Sequence, residues 1–70
     1  MEWIDTPESS NIVRFAYDGQ AQVLAVEFKA GSTYNYYDIP ERIFDQMKAA
    51  SSKGQFLAQQ VKGHYRYARA

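Results

Sequence analysis

The chain of 70 residues, about 8.1 kDa, is long enough for one small domain, residues 1–70, and too short for a second. Its apolar share of 46% excludes a disordered chain, and its lack of cysteine excludes disulfides and cysteine-ligated zinc. No apolar run approaches the roughly 18 residues of a membrane-spanning helix or follows a basic start, so we expect no membrane segment, no secretion signal and a cytoplasmic location.

The formal net charge is zero, but the two parts of the chain carry opposite charges. Residues 1–40 contain two basic and six acidic side chains, whereas residues 41–70 contain six basic and two acidic ones. No acidic residue follows Gln46. Such asymmetry indicates either a surface for nucleic acid or a membrane, or helices that simply expose lysine and arginine to water.

Three strands joined by short turns are predicted after a lead-in segment of residues 1–8. Alternating apolar residues predict strands over residues 11–17, 22–29 and 33–38. Asp18-Gly19 marks the first turn, and Gly31 is expected to adopt the left-handed conformation in a three-residue second turn. Loops this short join antiparallel neighbours, so the three strands form a meander.

The turn lengths predict one apolar face of this meander. A four-residue first loop sets Phe15 opposite Leu24 and Val13 opposite Val26. A three-residue second loop sets Leu24 opposite Tyr36. The predicted face carries Val13, Phe15, Leu24, Val26, Phe28, Tyr34 and Tyr36.

Two helices are predicted in the second half of the chain. Pro40 suits the first turn of a helix, and five apolar residues share one of its faces: Ile39, Ile43, Phe44, Met47 and Ala50. Ser52 and Gln55 form a capping-box pair for a second helix, which turns Phe56, Leu57 and Val61 inward and ends at Gly63. Packing both helices on the apolar sheet face gives a two-layer α+β domain. Residues 64–70 are compatible with a fourth strand, a frayed helical end or a tail.

Several short motifs follow one another along the chain. They are Ser9-Ser10-x-Ile12, Tyr17-Asp18, Val26-x-Phe28, Tyr34-x-Tyr36-Tyr37-x-Ile39-Pro40, Ser52-Lys53-Gly54-x-Phe56, Val61-Lys62 and Tyr65-x-Tyr67. In this order they resemble the KTSC domain, a small module found at the C-terminus of some lysyl-tRNA synthetases and as a stand-alone bacterial protein. The resemblance covers residues 8–70 and implies a role in RNA binding, from the synthetase context, with no catalytic residues to assign. The chain departs from the family pattern at Ala58, where asparagine is frequent, and at Arg66, where proline is frequent.

The residue types of common catalytic and metal sites are sparse. His64 is the only histidine, and one histidine without cysteine does not make a transition-metal site. Glu41 and Asp45 lie one turn apart, but at a helix start their charges are explained by the helix dipole. No serine lies in a glycine-flanked elbow, and no glycine-rich phosphate loop is present. We therefore expect no enzyme activity, no cofactor and no metal.

The basic, tyrosine-containing C-terminal half carries the leading functional hypothesis. Interleaved aromatic and cationic side chains can stack on bases and contact phosphates. Weak, salt-sensitive binding of tRNA or single-stranded RNA is assigned to Lys48, Lys53, Lys62, Tyr65, Arg66, Tyr67 and Arg69. In the alternative, the tyrosines complete the core and the arginines stay solvated.

A second hypothesis is a protein-interaction or self-association module. The sheet face without helices is predicted to expose Arg14, Val23, Ala25 and Tyr37. Open edge strands can pair with another strand, and a domain this small gains from additional burial. A protein partner or a homodimer would then replace RNA as the ligand.

Overall fold

The computed structural model describes all residues from Met1 to Ala70 and has one antiparallel sheet with helices on one of its sides. The five strands are β1 (Trp3–Asp5), β2 (Ile12–Asp18), β3 (Val23–Phe28), β4 (Thr33–Tyr36) and β5 (Tyr67–Arg69). They lie side by side in chain order, because β5 returns after the helices to pair with β4. The helices are α1 (Glu41–Ala49) and α2 (Lys53–Phe56), and α2 continues into a π-helical turn over Leu57–Val61.

The predicted α+β architecture is confirmed, and the sheet is wider than a three-stranded meander. The lead-in segment contains β1, in which Trp3 pairs with Ala16 and Ile4 pairs with Phe15. Ile4 packs against the hydrophobic core, and this contact holds the short strand at the sheet edge. For residues 64–70 the sequence allowed a strand, a frayed helical end or a tail. The structure has a strand there, at Tyr67–Arg69.

The predicted pairing of the first two meander strands is wrong by two residues. Phe15 lies opposite Val26 rather than Leu24, and Leu24 lies opposite Tyr17. The sequence places the loop at Asp18–Ala21, but Asp18 still pairs with Val23, so the loop begins one residue later. A shift of two residues keeps Phe15, Leu24 and Val26 on their predicted side of the sheet.

A β-bulge in β2 makes a second part of the predicted apolar face wrong. The register between β2 and β3 shifts between Ile12 and Arg14, so that Ile12 lies opposite Phe28. Ile12 is therefore fully buried, whereas Val13, which was predicted on this face, stays partly exposed. The second turn is as predicted, since Gly31 has a φ of 103° and Leu24 lies opposite Tyr36.

The helices cover the apolar side of the sheet. Ile43 and Met47 of α1 are buried together with Ile39, and Leu57 and Val61 are buried on the second helical segment. Pro40 precedes the first helical residue instead of occupying it. Ser52 accepts a hydrogen bond from the Gln55 N–H at 3.2 Å, as the capping pattern predicts. None of the helices has the length and apolar content that a membrane crossing requires.

Candidate functional site

Four aromatic side chains line up across β3, β4 and β5 on the helix side of the sheet. We call Phe28, Tyr34, Tyr36 and Tyr67 the aromatic row. Phe28 meets Tyr34 edge-on with ring centroids 5.8 Å apart, and Tyr34 stacks on Tyr67 at 5.7 Å with 10° between the rings. The ring centroids of Tyr36 and Tyr67 are 5.9 Å apart. The row therefore joins the core to the surface, because Tyr36 is 2% exposed while Tyr67 is 59% exposed.

Burial affects the titration of one member of the row, Tyr36. It raises the pKa of Tyr36 above the ordinary value of 10.0, and the neighbouring Tyr34 and Tyr67 add to the shift. The Tyr36 hydroxyl is therefore protonated at neutral pH.

Cationic side chains lie beside the row. The Lys62 ammonium is 5.1 Å from the Phe28 ring centroid, within the range of a cation–π contact. Lys29 donates a hydrogen bond to the Ser9 carbonyl at 2.5 Å. Arg69 lies opposite Tyr34 in the β4–β5 register and so extends from the helix side of the sheet.

A groove of about 510 Å³ runs along part of the aromatic row, a volume within the roughly 300–1,000 Å³ typical of ligand sites. Phe28, Tyr34, Tyr36, Lys29 and Lys62 line it together with Ser10, Asn11, Ala30 and Ser32. The groove thus combines aromatic surface with two positive charges.

A polar pocket adjoins the groove, and the two share Ser10 and Asn11. The pocket lies between the segment that precedes β2 and the start of α2. Its lining consists of Thr6, Glu8, Ser9, Ser10, Asn11, Ser51, Ser52, Lys53, Gly54, Gln55 and Ala58. In the sequence, Ser9, Ser10, Ser52 and Gly54 belong to two separate KTSC-like motifs, and their convergence is visible only in three dimensions.

Two close contacts hold this pocket in shape. The Ser9 hydroxyl accepts hydrogen bonds from the backbone N–H groups of Asn11 at 3.3 Å and Ile12 at 3.0 Å. Asn11 also approaches Gly54 so closely that a Cβ at this glycine would lie 2.8 Å from the Asn11 Oδ1 atom. Glycine at this position therefore allows the Asn11 side chain to pack against α2.

The cations assigned to RNA from the sequence do not share one surface. Lys62 and Arg69 lie at the aromatic row, and Lys53 lines the polar pocket, where its ammonium donates to the Ala50 carbonyl at 2.6 Å. Lys48 lies elsewhere, because it pairs with Asp45 at 3.3 Å and sits 4.6 Å from the ring of Phe44 on α1.

The aromatic and basic residues of the C-terminal segment also separate. The Arg66 guanidinium is 5.0 Å from the Tyr37 ring centroid and 3.5 Å from the Asp38 carboxylate, away from the aromatic row. Tyr65 is half-buried and packs against the core, which leaves Tyr67 as the more exposed tyrosine of this segment.

The helix-free side of the sheet differs from its predicted appearance. Ala25 was predicted to be exposed there but is only 4% exposed, and Ala16, which lies opposite it on β2, is fully buried. Arg14 lies 4.4 Å from the Trp3 ring centroid and donates to the Glu27 carboxylate at 2.7 Å. With Arg66 over Tyr37, both aromatic rings on this side are in contact with an arginine that already has a carboxylate partner. Val23 is half-buried.

Comparison with known proteins gives a consistent assignment. Residues 8–65 match the model of the KTSC domain. A protein of Tsukamurella paurometabola is 44% identical over 59 residues, which are 84% of this chain and 88% of that protein. A lysine–tRNA ligase of Nostoc punctiforme is 36% identical over 61 residues, which are 87% of this chain but only 11% of the ligase.

The fold has a solved counterpart. The crystal structure of a KTSC domain protein from Yersinia pestis superposes with a TM-score of 0.90 at 30% sequence identity. The alignment covers 99% of this chain and 96% of the other, so it includes both edge strands and both helical segments. With the family model matching most of its length, the chain belongs to the KTSC domain family.

Proposed function

We propose that this chain is a non-catalytic module that binds single-stranded RNA in the cytoplasm, weakly and in a salt-sensitive manner, through the aromatic row and its neighbouring cations. One observation carries the proposal. The Tyr67 ring stacks on Tyr34 at 5.7 Å and yet remains 59% exposed, so much of its surface is open to a base. Aromatic rings bind bases of single-stranded nucleic acid in this way, with little dependence on sequence.

The charges around the row support the same ligand. Lys29 and Lys62 line the groove and Arg69 lies opposite Tyr34, so all three are available to the phosphates of a strand stacked on the row. If these three cations neutralise three phosphates of single-stranded RNA, the logarithm of the binding constant falls against the logarithm of salt with a slope of about −2. A slope this shallow corresponds to weak binding.

The helix-free side supports a ligand less well. Its arginines, Arg14 and Arg66, already contact aromatic rings and the carboxylates of Glu27 and Asp38. These carboxylates place negative charge beside the arginines, where it disfavours an RNA phosphate, and a protein partner would find little apolar surface at Ala25. We therefore favour RNA at the helix side over a protein partner at the helix-free side.

The relatives add independent support. A region similar to this chain forms 11% of a lysine–tRNA ligase, an enzyme whose name gives tRNA as its substrate. A module attached to such an enzyme is suitably placed to contact an RNA. We extend this context to the present chain as part of the proposal, with unpaired regions of tRNA among the candidate ligands.

Titration of a fluorescently labelled single-stranded RNA at two salt concentrations tests the proposal. We expect the salt slope to be about −2, and Lys62→Ala to weaken binding and reduce the magnitude of the slope by about 0.7. Lys48→Ala is the matched control, because Lys48 pairs with Asp45 away from the row, and it should bind like the wild-type protein. Absence of binding at low salt, binding independent of salt, or equal effects of the two variants would contradict the proposal.

A further inference from the structure

We infer that the polar pocket recognises the ribose 2′-hydroxyl, so that the module prefers RNA to DNA of the same base sequence. This inference rests on the proposed RNA binding at the aromatic row and adds the class of sugar to it. The starting point is the shared wall of the two depressions, because Ser10 and Asn11 line both the groove and the pocket. A nucleotide whose base lies on the row can therefore direct its sugar into the pocket.

The composition of the pocket fits a hydroxyl better than a phosphate. Ala58 is its one apolar lining residue, and the other side chains are mainly hydroxyl and amide groups. Glu8 adds a carboxylate, which repels phosphate but accepts a hydrogen bond from a hydroxyl. Lys53 is the one cation of the lining, and Glu8 matches its charge, so the pocket has no net positive charge to favour phosphate.

The groups on the shared wall match the chemistry of the 2′-hydroxyl, which both donates and accepts hydrogen bonds and distinguishes RNA from DNA. The Asn11 Oδ1 atom accepts from the Ser9 hydroxyl at 3.4 Å and faces Gly54, so the two N–H groups of its amide are directed away from these contacts. These N–H groups can donate to the 2′-oxygen. The Ser10 hydroxyl can act as donor or acceptor at the same position.

The wall is also formed before a ligand arrives. Two backbone N–H groups, those of Asn11 and Ile12, donate to the Ser9 hydroxyl, so the backbone of the wall has little conformational freedom to lose on binding. Gly54→Ala would introduce a Cβ 2.8 Å from the Asn11 Oδ1 atom. Because Asn11 is exposed, its side chain can rotate away, and the variant should misplace the amide while remaining folded.

The test compares oligonucleotides of uridine and deoxyuridine with identical length and label, since they differ only at the 2′ position. We expect the wild-type protein to bind the RNA about 3- to 10-fold more tightly, the effect of about one additional net hydrogen bond. Asn11→Ala, Ser10→Ala and Gly54→Ala should each reduce this ratio, because each should weaken the RNA complex more than the DNA complex. Tyr67→Ala should weaken both complexes and preserve the ratio.

The outcomes separate this inference from the proposed function. Equal affinity of the wild-type protein for RNA and DNA would overturn the pocket assignment while leaving binding at the row intact. So would a set of folded pocket variants that keep the wild-type ratio or lose both affinities equally. Absence of binding to either oligonucleotide would overturn the proposed function and this inference with it.

Discussion

Replacement of Tyr67 by alanine should separate RNA affinity from the stability of the fold. Tyr67 is 59% exposed, so the variant loses little buried surface. It does lose the stacked contact with Tyr34 at 5.7 Å and the tilted contact with Tyr36 at 5.9 Å. Since an aromatic pair contributes about 0.5–1.5 kcal/mol, we expect the free energy of unfolding to fall by about 1–2 kcal/mol.

The expected loss of affinity comes from a different interaction. Stacking of one base on an aromatic side chain contributes about 1–3 kcal/mol, which corresponds to an increase in Kd of about 5- to 150-fold. Tyr67→Phe keeps the ring and should keep most of the affinity. Anisotropy titration with single-stranded RNA measures Kd, and urea denaturation followed by circular dichroism measures the free energy of unfolding.

Tyr37→Ala provides the matched control for Tyr67→Ala. Tyr37 is a half-buried neighbour of the same strand pair, but its ring faces Arg66 on the other side of the sheet. Its loss should lower stability to a similar degree and leave Kd unchanged. A folded Tyr67→Ala protein with wild-type affinity, or equal losses of affinity in both variants, would refute the assignment of the site to the helix side.

Three further predictions concern the scaffold. Tyr17→Phe removes the hydrogen bond that the Tyr17 hydroxyl donates to the Ile39 carbonyl at 2.5 Å. The free energy of unfolding, measured in urea, should therefore fall by about 1 kcal/mol. An unchanged free energy would contradict a stabilising role of this bond. Gly31 has a φ of 103°, so Gly31→Ala should lower the free energy of unfolding by at least about 1 kcal/mol. Gly19→Ala is the control, because its Cβ would meet only an ordinary contact at 3.7 Å, and it should lower this free energy less. Equal losses in the two variants would count against strain at Gly31. Burial raises the pKa of Tyr36, so the unfolded chain loses this proton first and stability should fall as the pH rises above 10.0. Thermal denaturation across this range should show a smaller fall for Tyr36→Phe, and an identical pH dependence would contradict the explanation.

The sequence predicts the middle of the sheet well because its side chains alternate and its second turn contains a well-placed glycine. Leu24 and Tyr36 lie opposite each other as expected, since the loop ending at Gly31 allows one register. The sequence does not determine where the first turn begins as clearly. The Asp18 carboxylate accepts hydrogen bonds from the N–H groups of Gln20 and Ala21, at 3.1 and 3.3 Å, and supports a loop that starts later than predicted.

The edge strand β1 could not be predicted from local pattern. Its three residues, Trp3–Asp5, are too few for alternation to be recognised. The contacts that hold it are distant in sequence, with Ile4 in the core and Trp3 beside Arg14. The bulge at Ile12 could not be predicted from local pattern either. Which of the two side chains is buried, Ile12 or Val13, depends on the packing of the whole sheet.

The candidate site was predicted in part. Tyr67, Lys62 and Arg69 were assigned to RNA binding from the sequence, and the structure has them beside Phe28 and Tyr34. The sequence predicts those two aromatics on the helix-covered face of the sheet, since alternation gives the side of the sheet and not the extent of helix cover. Both are in fact half-buried.

Local spacing did contain a signal that Lys48 belongs elsewhere. Asp45 precedes it by three residues on the same helix, a spacing that brings the two charges together. The pocket residues carried no such signal. Asn11 and Gly54 meet only because α2 folds back beside the start of β2, which no local pattern indicates.

Mapping of amide and aromatic chemical-shift changes by NMR during titration with single-stranded RNA tests the central claim most directly. The account predicts that the changes concentrate at Phe28, Tyr34, Lys62 and Tyr67, and extend to Asn11 in the polar pocket. Changes concentrated at Trp3, Arg14 and Tyr37 on the helix-free side, or no changes at low salt, would contradict it.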